Sequence, residues 1–206
     1  MPTLLHINSS PLPSSVSREL TGEFVRTWKT VHPDGAVIYR DLAADPPTPI
    51  DGLWISAAYT PPAARRPEQA KALALSDELI SDLEVADEYV IGVAMHNFSI
   101  PSVLKLWIDQ VVRQGRTFAY GEGGPRGLVQ GKKATVVAAS GGVYASGTPA
   151  AGMNFIEPYL KTILGFIGVT DVKFIAAEGT ARLMSGAIDR PTFLKPMVEQ
   201  IRAGAA

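Results

Sequence analysis

Short apolar runs that alternate with segments of helical periodicity restrict the fold of this chain more than any other feature. Five such runs, rich in Val, Ile, Leu and Ala, occupy residues 3–7, 36–42, 90–93, 135–139 and 172–176. Continuous apolar runs are typical of strands covered on both faces, as in parallel sheets. Because a helical segment follows each run, the pattern predicts an α/β sandwich with a five-stranded parallel sheet between helical layers.

Helical segments are predicted from apolar residues spaced three and four positions apart and from residues that favour helix ends. Two long connections, residues 43–66 and 116–131, contain many Pro or Gly residues, so we expect them to be loops. Five helices are predicted. The first begins at Ser15 or Ser17 and the second begins at Pro67. The third extends from Pro101 to Gly115, the fourth covers residues 159–166, and the fifth covers residues 181–203 with a break near Pro191.

The connection after the first strand, residues 8–17, is rich in serine. Hydroxyl groups beside the free N–H groups of a helix N-terminus form a site for phosphate. For any one serine a capping or turn role is the simpler interpretation, whereas five together favour a ligand. This loop has neither the G-x-x-x-x-G-K pattern of nucleoside triphosphate sites nor the G-x-G-x-x-G pattern of dinucleotide sites. The serines are Ser9, Ser10, Ser14, Ser15 and Ser17.

Polar or flexible residues also follow the third and fourth strands. Residues 95–98 are Met-His-Asn-Phe, and residues 140–142 are Ser-Gly-Gly. In a sheet with strand order 2-1-3-4-5, the first, third and fourth strands are neighbours, and ligands bind at their carboxyl ends. We therefore expect one crevice to collect all three loops. A glycine-rich connection without a ligand is the alternative for residues 140–142.

The composition argues against several classes of function. At 206 residues, the chain is long enough for one domain with a substantial core. The net charge is −1 with both signs interspersed, which gives no footprint for nucleic acid. His6, His32 and His96 are too scattered to suggest a metal site.

Cysteine usage and hydropathy bear on the compartment. The sequence contains no cysteine, which excludes disulfides and thiolate chemistry and fits a reducing environment. No stretch approaches the roughly 20 apolar residues of a membrane span, and the N-terminal run lacks the features of a signal peptide. We expect a cytoplasmic protein that does not insert into membranes.

Four segments carry a resemblance to a known family. The sequence resembles the FMN-dependent NADH:azoreductases, also described as quinone oxidoreductases, of the flavodoxin-like fold. The similarity extends over nearly the whole chain. It is densest in residues 95–101 (MHNFSIP), 114–118 (QGRTF), 127–133 (GLVQGKK) and 164–168 (LGFIG).

The resemblance implies a fold, a reaction and an assembly. The fold would be a flavodoxin-like three-layer sandwich, with residues 1–206 as a single FMN-binding domain. The reaction would be a two-electron ping-pong transfer from NADH or NADPH, through a tightly but non-covalently bound FMN, to quinones, with reductive cleavage of aromatic azo compounds. The protein would be a homodimer.

The resemblance also assigns residues to the cofactor. The phosphate would be surrounded by Ser10, Ser15, Val16 and Ser17. The ribityl chain and the ring would lie along Met95, His96, Asn97 and Phe98. The pyrimidine end of the ring would meet Ala139, Ser140, Gly141 and Gly142. The candidates for the substrate pocket are Phe118, Tyr120, Tyr144, Trp54 and Tyr59. The alternative for Phe118 and Tyr120 is a core or interface role, and the alternative for Trp54 and Tyr59 is a place in the core of the chain.

Two motifs depart from the pattern of the family. Its members usually have Pro-Met-Tyr-Asn-Phe where this chain has Ala94 and His96 around Met95, and they usually have Ser-Arg-Gly-Gly where this chain has Ala139 and Ser140. The alternatives are a one-electron carrier of the same fold and a scaffold that has lost its flavin. The net charge of −1 counts against a carrier, since such proteins are strongly acidic.

Overall fold

A computed structural model describes residues 1–204 and contains five parallel strands in one sheet and a separate two-stranded hairpin. The elements in chain order are β1 (Thr3–Asn8), α1 (Val16–Val31), β2 (Ala36–Asp41), α2 (Gly52–Tyr59), α3 (Pro67–Ala72), α4 (Ala74–Val85), β3 (Glu88–Ala94), α5 (Ser102–Val111), β4 (Phe118–Gly121), β5 (Gly124–Gly127), β6 (Lys133–Ser140), α6 (Ile156–Ile167), β7 (Asp171–Glu178), α7 (Ala181–Met184) and α8 (Arg190–Gly204). Short 3₁₀ turns cover Pro62–Ala64 and Ala151–Met153.

The order of the sheet is β2-β1-β3-β6-β7. Since the hairpin β4–β5 lies outside the sheet, this is the predicted order 2-1-3-4-5, and the α/β prediction is confirmed. Leu4 and Val90 on one face pack with α1 and α8. Leu5 and Ile91 on the other face pack with α4, α5 and α6, which completes three layers.

Several predicted boundaries were wrong. Residues 43–66 were expected to be a loop, yet they contain α2, whose first turn is capped by the Asp51 carboxylate accepting from Trp54 N at 2.7 Å. The helix expected from Pro67 is divided at Leu73 into α3 and α4. Pro101 precedes α5 as its cap residue, and the helix ends at Val111 and not at Gly115. The break in the terminal helix is confirmed, between α7 and α8.

Residues 116–131 were expected to be a loop, yet they contain the antiparallel hairpin β4–β5. The hairpin packs on the end of α6 through two glycines. A Cβ atom on Gly127 would lie 2.2 Å from the backbone nitrogen of Gly168, and Gly168 has a φ of 108°. The ring centroid of Phe118 lies 4.6 Å from that of Phe166, so an aromatic contact reinforces the same junction.

His6 is a buried histidine on β1, an interior strand of the sheet. Its Nε2 lies 3.3 Å from Asn8 Nδ2, and its ring lies 4.9 Å from that of Tyr39. Burial, together with the charge of Arg18 and against the opposing pull of Asp41, lowers the pKa of His6 to about 4. The imidazole is therefore neutral in the folded protein, as expected for a core histidine.

This shift predicts loss of stability in mild acid. Below its ordinary pKa of 6.5, His6 takes up a proton in the unfolded chain but not in the folded one. The free energy of unfolding therefore falls as the pH is lowered from 6.5, and this fall ends at about pH 4, where the folded protein takes up the proton as well. We expect His6 alone to reduce the free energy of unfolding by about 2 kcal/mol from pH 7 to pH 5. Urea unfolding of His6→Gln should lack this component, whereas His32→Gln should keep it; equal pH profiles in all three proteins would contradict the assignment.

Candidate functional site

The loops after β1, β3 and β6 meet at a cavity of about 410 Å³, within the usual range of ligand pockets of about 300–1,000 Å³. It lies at the carboxyl ends of these neighbouring strands, where doubly wound sheets bind ligands. Seven of the predicted cofactor residues line it: Ser10, Ser15, Val16, Met95, His96, Ala139 and Gly141. The three loops singled out in the sequence therefore share one crevice.

The N-terminus of α1 forms one end of this cavity. Ser15 occupies the cap position but its hydroxyl does not cap the helix; it hydrogen-bonds instead to the Ser17 hydroxyl at 2.9 Å. Within residues 1–204, the N–H groups of Val16, Ser17 and Arg18 have no acceptor. Three free donors at the start of a 16-residue helix, beside Ser15, which lines the cavity, form a cradle for an anion. Ser17 itself is fully buried behind Ser15.

The loop leading into this helix is fixed from behind by Arg18. Its guanidinium donates to the Ser10 carbonyl at 2.7 Å and makes two bonds to the Asp41 carboxylate, at 2.6 and 3.1 Å. The hydrogen bonds from Arg18 lower the pKa of Asp41 below its usual range. Arg18 therefore positions the loop that leads into the cradle.

The second loop is a tight turn from His96 to Ser99. The two residues exchange backbone hydrogen bonds, His96 N to Ser99 O at 2.9 Å and Ser99 N to His96 O at 3.0 Å. The residues between them, Asn97 and Phe98, have φ values of 48° and 70°. Two successive positive φ values are typical of a type I′ turn, for which asparagine is suited but phenylalanine is not. Asn97 and Phe98 do not line the cavity themselves, since the turn places them beside it.

The positive φ at Phe98 predicts that glycine at this position gives a more stable chain than alanine does. A side chain in the left-handed region costs about 1 kcal/mol, and glycine does not pay it. We expect Phe98→Gly to raise the free energy of urea unfolding by about 1 kcal/mol relative to Phe98→Ala, which lacks the same ring but keeps Cβ. Equal stability of the two variants would show that the positive φ is not strained.

The third loop, Ser140 to Gly142, is held through its carbonyl groups. Gly179 N donates to Gly142 O at 2.9 Å, and Thr180 donates to Ser140 O through its backbone at 3.0 Å and its hydroxyl at 3.1 Å. Neither Gly141 N–H nor Gly142 N–H reaches an acceptor among the described residues. The loop thus presents two free donors from a fixed backbone. Ser140 turns its hydroxyl onto Gly142 O, and neither Ser140 nor Gly142 lines the cavity.

The segment after β7 completes the cavity, and the sequence interpretation missed it. Thr180, Leu183, Met184 and Arg190 all line the cavity. The cavity is also lined by Pro11, Leu12 and Ser14 of the loop after β1 and by Ala94 at the end of β3. The sequence contained a signal for this segment, because Gly179 directly follows the last strand and so lies at the same edge of the sheet. The prediction took only the loops after the first, third and fourth strands as ligand-binding.

Four of the five aromatic residues predicted for a substrate pocket lie in three different places. Phe118 and Tyr120 lie on the hairpin, with ring centroids 5.7 Å apart, and 65% of Tyr120 is exposed. Tyr144 lies 6.3 Å from Phe98, next to the tight turn. Tyr59 is exposed beside a second cavity that Arg113 and Arg116 help to line.

Trp54 is a core residue in this chain. It is buried with Ala57 and Leu73, and its indole N–H donates to Gln110 Oε1 at 2.9 Å. It does not line the cavity at the strand ends. This placement supports the alternative that Trp54 fills the interior.

In residues 1–204, no three His, Asp or Glu side chains are grouped in a way that could hold a metal ion. No helix in that part of the chain is both long enough and apolar enough to cross a membrane.

A doubly wound parallel sheet with an anion cradle at the switch point defines a protein of the flavodoxin-like class. The family model described as flavodoxin-like fold matches residues 2–203. The chain belongs to this flavodoxin-like family.

Curated relatives are similar over their whole length. An FMN-dependent NADH:quinone oxidoreductase of Acidobacterium capsulatum is 62% identical over 206 residues, covering 100% of both chains. FMN-dependent NADH:quinone oxidoreductase 3 of Burkholderia lata is 47% identical over 201 residues, covering 97% of each.

Solved structures agree with the fold. An azoreductase from Bacillus anthracis Sterne superposes with a TM-score of 0.89 at 29% identity, covering 100% of this chain and 99% of the other. An FMN-dependent NADH-azoreductase from Bacillus anthracis Ames Ancestor, solved in complex with FMN, has a TM-score of 0.86 at 28% identity, covering 98% and 97%.

Proposed function

We propose that the chain is a single FMN-binding domain that acts as an FMN-dependent oxidoreductase, transferring two electrons from NADH or NADPH to quinones and to aromatic azo compounds. The observation that carries the proposal is the set of unused donors in two of the loops that meet at one cavity. Free N–H groups lie at the start of α1 and at Gly141 and Gly142, at the ends of neighbouring strands. The relatives of this chain bear the corresponding activity in their names.

The donors fit the two polar ends of FMN. The free N–H groups of Val16, Ser17 and Arg18, with the Ser15 hydroxyl, suit a phosphate, which accepts hydrogen bonds from all sides. The Gly141 and Gly142 N–H groups suit the carbonyl-bearing pyrimidine edge of the ring, as the resemblance implies. Met95 and His96 also line the cavity, and the resemblance implies that the ribityl chain and the ring would lie along them.

FMN, when bound, supplies the redox chemistry, and the residues of this chain supply position and electrostatics. In the overall reaction NADH, a quinone and one proton give NAD⁺ and a hydroquinone, and cleavage of an azo bond to two amines takes two such rounds. With FMN bound, the fixed donors at Gly141 and Gly142 would stabilise negative charge on the pyrimidine edge of the ring without reorganisation. The two substrates use one pocket in turn, which gives ping-pong kinetics.

The proposal is tested by anaerobic reduction. The purified protein is reconstituted with FMN, NADH is added without oxygen, and the visible absorbance of the flavin is followed. We expect complete bleaching by one equivalent of NADH and full recovery on adding benzoquinone. Flavin that binds but is not reduced by NADH would indicate the one-electron carrier, and failure to bind FMN would indicate a scaffold.

A homodimer is part of the proposal. Two aromatic side chains at the tight turn beside the cavity are exposed in the single chain, Phe98 by 40% and Phe155 by 55%. A backbone hydrogen bond from Phe155 N to Phe98 O, at 3.0 Å, joins them. A second copy would cover this apolar surface and close the pocket. Sedimentation equilibrium should give twice the mass of the chain; a monomer would remove this part.

A cytoplasmic location is also proposed, supported by the cysteine-free sequence, which suits a reducing compartment.

A further inference from the structure

Arg190 is the first residue of α8, and its guanidinium reaches the loop that precedes α1. Its Nε donates to Glu19 Oε2 at 2.6 Å, and one terminal nitrogen donates to the Ser14 carbonyl at 2.7 Å. The other terminal nitrogen has no acceptor within residues 1–204. The Ser14 carbonyl belongs to the peptide that leads directly into Ser15, so Arg190 lies beside the anion cradle.

Arg190 is also the one permanently charged residue, among those the structure describes, that lines the cavity. Arg18 is close in sequence to the cradle, but it does not line the cavity, and both of its terminal nitrogens are engaged by Asp41, Tyr39 and Ser10. Arg190 therefore differs from Arg18 in facing the site with donors to spare.

The position of Arg190 in its own helix is unfavourable. A cation in the first turn is repelled by the positive end of the helix dipole. The Glu19 carboxylate offsets this repulsion and also holds the guanidinium toward the cavity. The helix thus keeps a cation where its own electrostatics disfavour one, next to a site for an anion.

We propose that Arg190 is the cationic partner of the FMN phosphate, an inference that rests on the proposed function. Glu19 and the Ser14 carbonyl fix the guanidinium, and its free terminal nitrogen donates to the phosphate. The helix N-terminus supplies neutral donors, and Arg190 supplies the charge. Arg190 thereby links the terminal helix to cofactor binding, although 171 residues separate it from Glu19 along the chain.

The proposal is tested by titrating the cofactor-free protein with FMN and with riboflavin, which lacks the phosphate, and following flavin fluorescence. We expect Arg190→Gln to weaken FMN binding by about 10- to 100-fold, the effect of losing a charged hydrogen bond, and to leave riboflavin binding within about twofold. Arg190→Lys should retain most of the FMN affinity. The double variant Glu19→Gln/Arg190→Gln should also bind FMN more weakly than Glu19→Gln alone, because the loss of affinity comes from Arg190 itself.

The matched control is Arg202→Gln. Arg202 is also on α8 and also pairs with a carboxylate of α1, Glu23 at 2.8 Å, but it does not line the cavity. Its removal should change neither affinity. Equal losses for FMN and riboflavin in Arg190→Gln would overturn the proposal in favour of loop positioning, and unchanged FMN affinity would overturn it outright. If the unmodified protein bound neither flavin, the proposed function itself would fail.

Discussion

Replacing Ser15 and Ser17 together by alanine should weaken FMN binding by about 100-fold while leaving the cofactor-free fold intact. Within residues 1–204 the two hydroxyls bond only to each other, at 2.9 Å, so removing both leaves no unsatisfied partner in that part of the chain. Ser15 makes no side-chain cap, so the usual cost of losing a helix cap does not arise. We expect the free energy of unfolding of the cofactor-free protein to change by less than about 1 kcal/mol.

The loss in affinity has a different origin. A hydroxyl that donates to a phosphate makes a charge-assisted bond worth about 1.5–3 kcal/mol. On the proposed function the Ser15 hydroxyl would make this bond, and Ser17 would orient it. Fluorescence titration with FMN measures the effect. Thr30→Ala, an exposed substitution in the last turn of the same helix, is the control. Unchanged affinity with a large loss of stability would show that the serines only support the fold.

Gly127→Ala should destabilise the protein by about 3 kcal/mol. The added Cβ would lie 2.2 Å from Gly168 N and 2.3 Å from Ile167 C, and neither backbone atom can move aside without disturbing the end of α6. We expect the hairpin β4–β5 to detach from that helix, taking Phe118 and Tyr120 with it. Amide hydrogen exchange should rise over residues 118–127.

Gly121→Ala in the same hairpin provides the comparison. No atom lies within 4 Å of the Cβ that would be added there, so its free energy of unfolding should change little. The measurement is urea unfolding of both variants. Equal stability of Gly127→Ala and Gly121→Ala would mean that the glycine contact does not hold the hairpin.

The sheet and its ligand-bearing edge were predictable because their signals are local. Each strand is a continuous apolar run, and the serine-rich and Gly-Gly loops follow strands directly in the sequence. Strand order then brought loops more than 80 residues apart to one edge, as Ser9 N bonding to Gly92 O at 3.2 Å illustrates. Family resemblance added residue assignments that periodicity could not supply.

What could not be predicted depends on contacts distant in sequence. The glycines of the hairpin indicate only turns in the sequence. The packing of the hairpin on α6 depends on the close approach of Gly127 to Gly168, which lie far apart in the chain. Trp54 lies in a Pro-rich stretch typical of a lid, yet its N–H finds Gln110, 56 residues later. The approach of Arg190 to the cradle depends on α8 packing beside α1, which no local pattern encodes.

A crystal structure with bound FMN tests the central claim, that the loops after β1, β3 and β6 form one flavin site. We predict electron density for the phosphate against the N–H groups of Val16 and Ser17, and the pyrimidine edge of the ring within hydrogen-bonding distance of Gly141 N and Gly142 N. Density for FMN at another edge of the sheet, or a phosphate that does not reach the start of α1, would contradict it.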